Sequence, residues 1–182
     1  YLFFDTETTG LPSTPSSDYL NWPRMLQIAW LLIDENKKIQ SKNCFTIKPD
    51  GYRIPNRVIK IHGITMEKAL NEGLPIKQVL HNFLKDTNFA DTLIAHNVAY
   101  DYGVVRGELL RNNIPDFLRG YKNKDHLQRS WCDPYNSRGQ GFWDSPPSGR
   151  DFRFATTSYR ELASKKIVSE GPCGSAATKY MS

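Results

Sequence analysis

The eleven residues that open this chain, Tyr1-Leu2-Phe3-Phe4-Asp5-Thr6-Glu7-Thr8-Thr9-Gly10-Leu11, set two carboxylates at the end of an apolar run. An unbroken stretch of large apolar side chains, without period-two alternation, predicts a central strand covered on both faces. Side chains two apart in extended chain share a face. Asp5 and Glu7 therefore project together, roughly 6.5 Å apart along the strand, while Thr6 points the other way. Two anions confined to one small volume raise each other's pKa unless a cation neutralises them. All the donors are hard oxygens, which suits Mg²⁺ or Mn²⁺ and disfavours a soft-metal site. A bare Asp-x-Glu is more often a strand-end cap beside a solvated acid. What distinguishes this one is the Thr8-Thr9-Gly10-Leu11 turn that follows, where glycine lets a phosphate chain approach the backbone.

A chain of 182 residues with 39% hydrophobic content is expected to form one domain, residues 1–182, large enough to bury most of the surface its unfolded form exposes. The excess of 24 Lys and Arg over 19 Asp and Glu, a net charge of +5, is compatible with a polyanionic partner, although the basic residues are scattered. Three widely spaced cysteines, Cys44, Cys132 and Cys173, fit neither a disulfide framework nor a zinc knuckle, and suggest a reducing, intracellular compartment. The longest apolar run, Met25 to Ile33, carries Gln27 and is far shorter than the roughly 20 residues that span a bilayer. No membrane association is expected.

After the acidic strand, Leu11 to Asp18 is a Pro/Ser loop that continues no sheet. Met25 to Ile33 predicts a second buried strand, and Asp34 to Lys38 a polar turn into a third near Asn43 to Lys48, so that the first three strands form a meander. Gln27 either bonds a neighbouring backbone or faces the site, the first being the commoner role for a buried amide. Thr65 is a plausible N-cap for a short helix from Met66. His62, beside Gly63, reads better as a structural hydrogen-bonding residue than as a ligand. Pro75 opens a helix whose Ile76, Val79, Leu80, Phe83 and Leu84 share one apolar face. Asp91 to Ala95 is a short buried strand running into His96-Asn97, with Asn97 at an N-cap position. Val98, Tyr102, Val105 and Leu109 then follow at helical spacing. Asp101 lies one turn inside that helix, where it can aim back across the top of the sheet or simply favour the helix dipole.

Phe4-Asp5-Thr6-Glu7-Thr8-Thr9-Gly10-Leu11 together with Ala95-His96-Asn97-Val98-Ala99-Tyr100-Asp101 resembles the first two motifs of the DnaQ-like (DEDD) 3′-to-5′ exonucleases. Gln27-Ile28-Ala29 and Ile61-His62-Gly63-Ile64-Thr65 fall where that family has similar segments. The resemblance covers roughly residues 1 to 133, and the ordered combination is specific where each motif alone is not. It implies an α/β, ribonuclease H-like fold: a mixed five-stranded sheet flanked by helices. It further implies a metal-dependent 3′-to-5′ exonuclease acting through two Mg²⁺ or Mn²⁺ ions on single-stranded nucleic acid or a frayed 3′ end. Asp5, Glu7 and Asp101 would be the catalytic and metal-binding acids, with Asp5 bridging both ions. Thr8, Gly10, Leu11, His96 and Asn97 would bind substrate, Leu11 stacking on a base while backbone amides face phosphate.

The third motif of the family supplies a general base and a fourth carboxylate, written His-x-x-x-x-Asp or Tyr-x-x-x-Asp. Here a strand at Ser130-Trp131-Cys132 gives way to a Gly/Pro-rich insertion, residues 136–148. Thr157 to Ala163 then resembles the helix that precedes the third motif. In that register Cys173 stands where the family has its His and Thr178 where it has its Asp. Three acids leave two divalent ions one negative charge short, and no nearby group deprotonates water near neutral pH. Asp133, Asp144, Asp151 and Glu170 are the acids close enough in sequence to substitute. An active exonuclease and a catalytically impaired relative that grips 3′ ends both follow from the resemblance.

Overall fold

The computed structural model describes residues 1–12, 18–116, 118 and 127–128; the expectations for residues 130–132, 136–148 and 157–163, and for Asp133, Asp144, Asp151, Glu170, Cys173 and Thr178, lie outside them. Five strands form one mixed sheet in the order β3-β2-β1-β4-β5. They are β1 (Leu2–Thr8), β2 (Met25–Ile33), β3 (Ile39–Thr46), β4 (Leu93–Ile94) and β5 (Leu127–Gln128). β1 pairs antiparallel with β2 and parallel with β4, so the acidic strand lies in the middle, as its apolar run requires. Leu2, Phe3 and Phe4 are buried.

β3 begins earlier than its sequence suggests, at Ile39 rather than near Asn43. After Ile39 come the polar Gln40, Ser41 and Lys42, yet the segment pairs with β2 from Ile33↔Ile39 onward: ladder hydrogen bonds with a buried neighbour override weak strand propensity. The predicted strand at Asp91 to Ala95 shrinks to the two residues that pair with β1. Cys44, on β3, is disulfide-bonded, contrary to the expectation drawn from the cysteine spacing. Among the described residues no helix is long and apolar enough to cross a membrane.

Among the described residues four α-helices accompany the sheet: α1 (Asn56–His62), α2 (Met66–Glu72), α3 (Ile76–Thr87) and α4 (Val98–Arg111). α2 starts on Thr65, whose side chain accepts a hydrogen bond from the Lys68 amide. α3 buries Val79, Leu80, Phe83 and Leu84. Phe83 stacks tilted on Phe4 and edge-on to Trp30, each at 5.4 Å between centroids, a favoured aromatic geometry. α1 had no counterpart in the sequence reading. Its Asn-Arg-Val-Ile-Lys-Ile run is short and β-branched, and no side chain caps it. It is held instead by burial of Val58 and His62, one turn apart.

The β1–β2 register slips between Glu7 and Thr8: Glu7 faces Gln27, yet Thr8 faces Met25. The extra residue on β2 is Leu26. A bulge of this kind reverses which face a side chain takes. Met25 consequently joins Ile28 and Trp30 in the main core, while Leu26 packs with Ile54, Val58, Ile64 and Ala69 under α1 and α2. Gln27 beside the bulge donates to Thr46 Oγ1 at 3.3 Å, bonding a side chain across the strands rather than the expected backbone.

Candidate active site

The alternation expected along β1 is present: Asp5 is exposed, Thr6 buried, Glu7 half-buried and Thr8 buried. α4 delivers Asp101 to the same strand. Asp101 is 3% exposed. Its Oδ1 accepts from the Thr6 amide at 3.0 Å and from Thr6 Oγ1 at 2.7 Å. The helix dipole alone does not account for this placement, because the carboxylate is spent on the neighbouring strand.

All three acids titrate high. Burial is the main cause for Asp101, with the Asp5 charge second, and together they push it to about 8 against the opposing Thr6 hydrogen bonds. Glu7 rises to about 7, again by burial first and Asp5 second. Asp5 also rises, because protein crowds it despite its open side; the charge of His96 and the Thr6 backbone pull the other way. The mutual repulsion through Asp5 places the three carboxyls in one electrostatic unit. A hard-oxygen, triply acidic set of raised pKa suits a divalent cation, which would bring the values down. Among the described residues no three His, Cys, Asp or Glu groups yet close into an ion-holding cluster, in keeping with an Asp101 oxygen turned onto Thr6.

The turn after Glu7 is fastened from inside. Thr8 Oγ1 and the Tyr100 phenol lie 2.5 Å apart, and each is within hydrogen-bonding distance of the Gly10 carbonyl, at 2.8 and 2.7 Å. Two protons serve three short oxygen contacts, so one hydroxyl donates to the other and the second to the carbonyl. The Thr8 hydroxyl is thus engaged within the turn. Thr9 is hydrogen-bonded twice to Arg24, donating its amide to the Arg24 carbonyl at 3.0 Å and accepting the Arg24 amide on Oγ1 at 3.0 Å. Gly10 adopts φ +150, a conformation rare for residues with a side chain. Leu11 beyond it is 81% exposed, free to meet a ligand.

His96 and Asn97 are both exposed, and His96 is near enough to Asp5 to lower its pKa. Asn97 occupies the N-cap position of α4 without a side-chain capping bond, so the predicted cap is one of position only. His62 is structural: buried, it accepts the Ile64 amide on Nδ1 at 3.0 Å. Burial lowers its pKa, while the backbone of Thr8 raises it without reaching hydrogen-bond geometry at Nε2.

Two features of the site escaped the sequence. Tyr100 offered no signal beyond its place beside Asp101. Glu108, 1% exposed, accepts from Arg24 Nε at 2.8 Å, from Arg111 Nη1 at 3.1 Å and from the Met25 amide at 3.1 Å. It thereby ties α4 to the start of β2; an i, i+3 Glu–Arg pair was the only hint.

A mixed sheet with an acidic central strand, completed by an acid from the helix after β4, defines a nuclease-type domain of ribonuclease H-like fold. The chain belongs to the exonuclease family: the family model described as "Exonuclease" matches residues 2–128. It is 31% identical over 115 residues to the DNA polymerase III PolC-type of Lactococcus lactis subsp. lactis, covering 63% of this chain and 6% of that protein. With the PolC-type polymerase of Streptococcus pyogenes serotype M18 the identity is 28% over 144 residues, 78% of this chain and 9% of the relative. The chain thus spans only a small fraction of these relatives. In fold it is similar to E. coli exonuclease I in complex with a dA16 oligonucleotide. The TM-score is 0.55 at 22% identity, with 70% of this chain and 27% of the other covered.

Proposed function

We propose that this domain is a metal-dependent 3′-to-5′ exonuclease acting on single-stranded nucleic acid or a frayed 3′ end. The observation that carries the reading is the delivery of Asp101 to β1, beside Asp5 and Glu7, in a member of the exonuclease family. Asp5 and Glu7, with Asp101, would hold Mg²⁺ or Mn²⁺, and the metal would supply Lewis-acid stabilisation of the phosphodiester oxygens and a lowered pKa for the attacking water. The chain's own part is to bring Asp101 onto the strand that carries Asp5 and Glu7. It also presents Leu11, His96 and Asn97 at the open side, where a terminal nucleotide can sit. The solved relative's single-stranded oligonucleotide supports the same class of substrate here.

Release of mononucleotides from a 3′-labelled oligomer in Mn²⁺ tests this directly. Wild type should release label as mononucleotide from the first turnover, and Asp5→Ala should not. Internal fragments as first products would exclude the polarity, and full activity in Asp5→Ala would move the site elsewhere. A second reading, a relative that grips 3′ ends without efficient cleavage, follows from the register in which Cys173 and Thr178 would stand for the family's His and Asp. On that reading wild type cleaves slowly, and Cys173→His with Thr178→Asp raises the rate beyond the product of the single changes, since base and metal act on one water.

A further inference from the structure

The arginines of the described residues are mostly engaged: Arg24 and Arg111 with Glu108, Arg106 with Asp116. Arg57 is not. It lies on α1, exposed, and takes part in no side-chain hydrogen bond or ion pair among the described residues. Its position is nevertheless definite, because a Cβ built on Gly10 would meet Arg57 Nη2 at 3.2 Å. The guanidinium lies against Gly10, in the turn that ends β1.

That turn needs a cation. The polar groups of Thr8 and Gly10 are turned inward on Tyr100, and three carboxyls stand behind them. A strand entering here would meet acids and an apolar side chain, with phosphate repulsion unrelieved away from the metal. An unpaired guanidinium, planar and with five donors, is the side chain best suited to fork onto a phosphodiester.

We propose that Arg57 is a phosphate-binding residue, gripping a bridging phosphodiester of the single strand as it passes over Gly10 and Leu11. The proposal rests on the nucleic-acid reading above and deepens it. The backbone phosphate is common to DNA and RNA, so both are tested.

Binding of fluorescent single-stranded DNA and RNA oligomers, measured by anisotropy in EDTA across a salt series, separates this contact from cleavage. One phosphate contact on a single strand contributes about 0.7 to the slope of log K against log salt. Arg57→Ala should flatten the slope by about that amount and weaken low-salt binding about tenfold, the worth of one charge-assisted contact. Arg57→Lys should keep the slope and recover part of the affinity. Lys77→Ala, which removes an exposed cation from α3, should leave the slope as in wild type. With a neutral methylphosphonate scanned through the 3′-terminal linkages, the Arg57→Ala penalty should vanish at one of them. Equal slopes for wild type and Arg57→Ala, on an oligomer that wild type binds, overturn the Arg57 contact and leave the exonuclease reading standing. A wild-type chain that binds neither oligomer, in EDTA or with Ca²⁺ added to neutralise the acids, overturns both.

Discussion

Asp101 and Thr6 stand 95 positions apart in the chain, yet one oxygen of the acid receives both the amide and the hydroxyl of the threonine, at 3.0 and 2.7 Å. Thr6 is the inward residue between the two outward acids of β1. The sheet's buried face thus holds the third acid while its open face presents the first two. A carboxylate fixed by two donors cannot swing freely, so this pair sets where α4 begins relative to β1.

Thr6→Val keeps the shape of the side chain and the backbone amide, and removes only the hydroxyl. Hydrogen bonds to an ionised acceptor are the stronger kind. The loss should therefore be larger at pH 9, above the Asp101 value of about 8, than at pH 5. About 1–2 kcal/mol at pH 9 is expected, read from urea denaturation, with a smaller loss at pH 5. Equal losses at both pH values would mean that Asp101 does not ionise within that range.

Raised carboxyl pKa values give the metal-free fold a definite pH dependence. Below about pH 4 the acids are protonated in both folded and unfolded chains and contribute no difference. As pH rises, the unfolded chain loses those protons first, while Glu7 holds its proton to about 7 and Asp101 to about 8. The folded state then binds more protons, so stability falls between about pH 4 and pH 8. Melting temperature without metal should be lower at pH 8.5 than at pH 5.5, and Mg²⁺ should raise it much more at pH 8.5, because ligands bind metal deprotonated. Asp101→Asn retains an acceptor for Thr6 and removes the charge. It should stabilise the metal-free chain at pH 8.5 by at least about 1.4 kcal/mol, the equivalent of one pKa unit, and weaken the Mg²⁺ response. A Mg²⁺ response undiminished in Asp101→Asn would remove Asp101 from the cation site.

The parts of this architecture written in local pattern were legible. The second strand appears from Met25 to Ile33 as its apolar run dictates, and Thr65 and Pro75 open the helices they were expected to open. The two outward acids of β1 followed from period two alone. What the pattern could not carry depends on contacts distant in sequence. Nothing near Leu26 announces the bulge, whose cause is the division of two hydrophobic clusters. α1 lacks a cap and a long apolar stripe. Glu108 meets its partner Arg24 across 84 positions of chain, a separation no local pattern spans.

Gly103 and Gly107, one turn apart on α4, admit the Tyr19–Asn21 turn and Trp22 against the helix. A Cβ on Gly103 would lie 2.2 Å from the Trp22 ring, and one on Gly107 would lie 2.7 Å from the Tyr19 carbonyl oxygen. Helix propensity alone favours Gly103→Ala by up to about 1 kcal/mol. The clash should outweigh that gain, because Trp22 is also packed between Tyr19 and Tyr100. Net destabilisation of about 1–3 kcal/mol is expected, with a blue or red shift of tryptophan fluorescence as Trp22 is displaced. A stabilised Gly103→Ala would mean that Trp22 yields at no cost.

Tyr100 links that packing to the turn beside the acids, since its ring faces Trp22 at 6.0 Å while its hydroxyl meets Thr8 and the Gly10 carbonyl. Tyr100→Phe preserves the ring and deletes the hydroxyl, leaving Thr8 Oγ1 alone to satisfy that carbonyl. Burial and the neighbouring acids hold the phenol's pKa above its ordinary value, so the group is a neutral donor at every pH in which the fold is used. The global cost should be only about 1 kcal/mol. The local cost should be larger in proportion, because a turn that loses one of its two hydroxyl ties opens more often without the domain unfolding. Amide hydrogen exchange should accelerate at residues 8–11 and stay unchanged in β2 and α3. Uniform acceleration across the domain, or none at the turn, would show that the hydroxyl does not govern the turn.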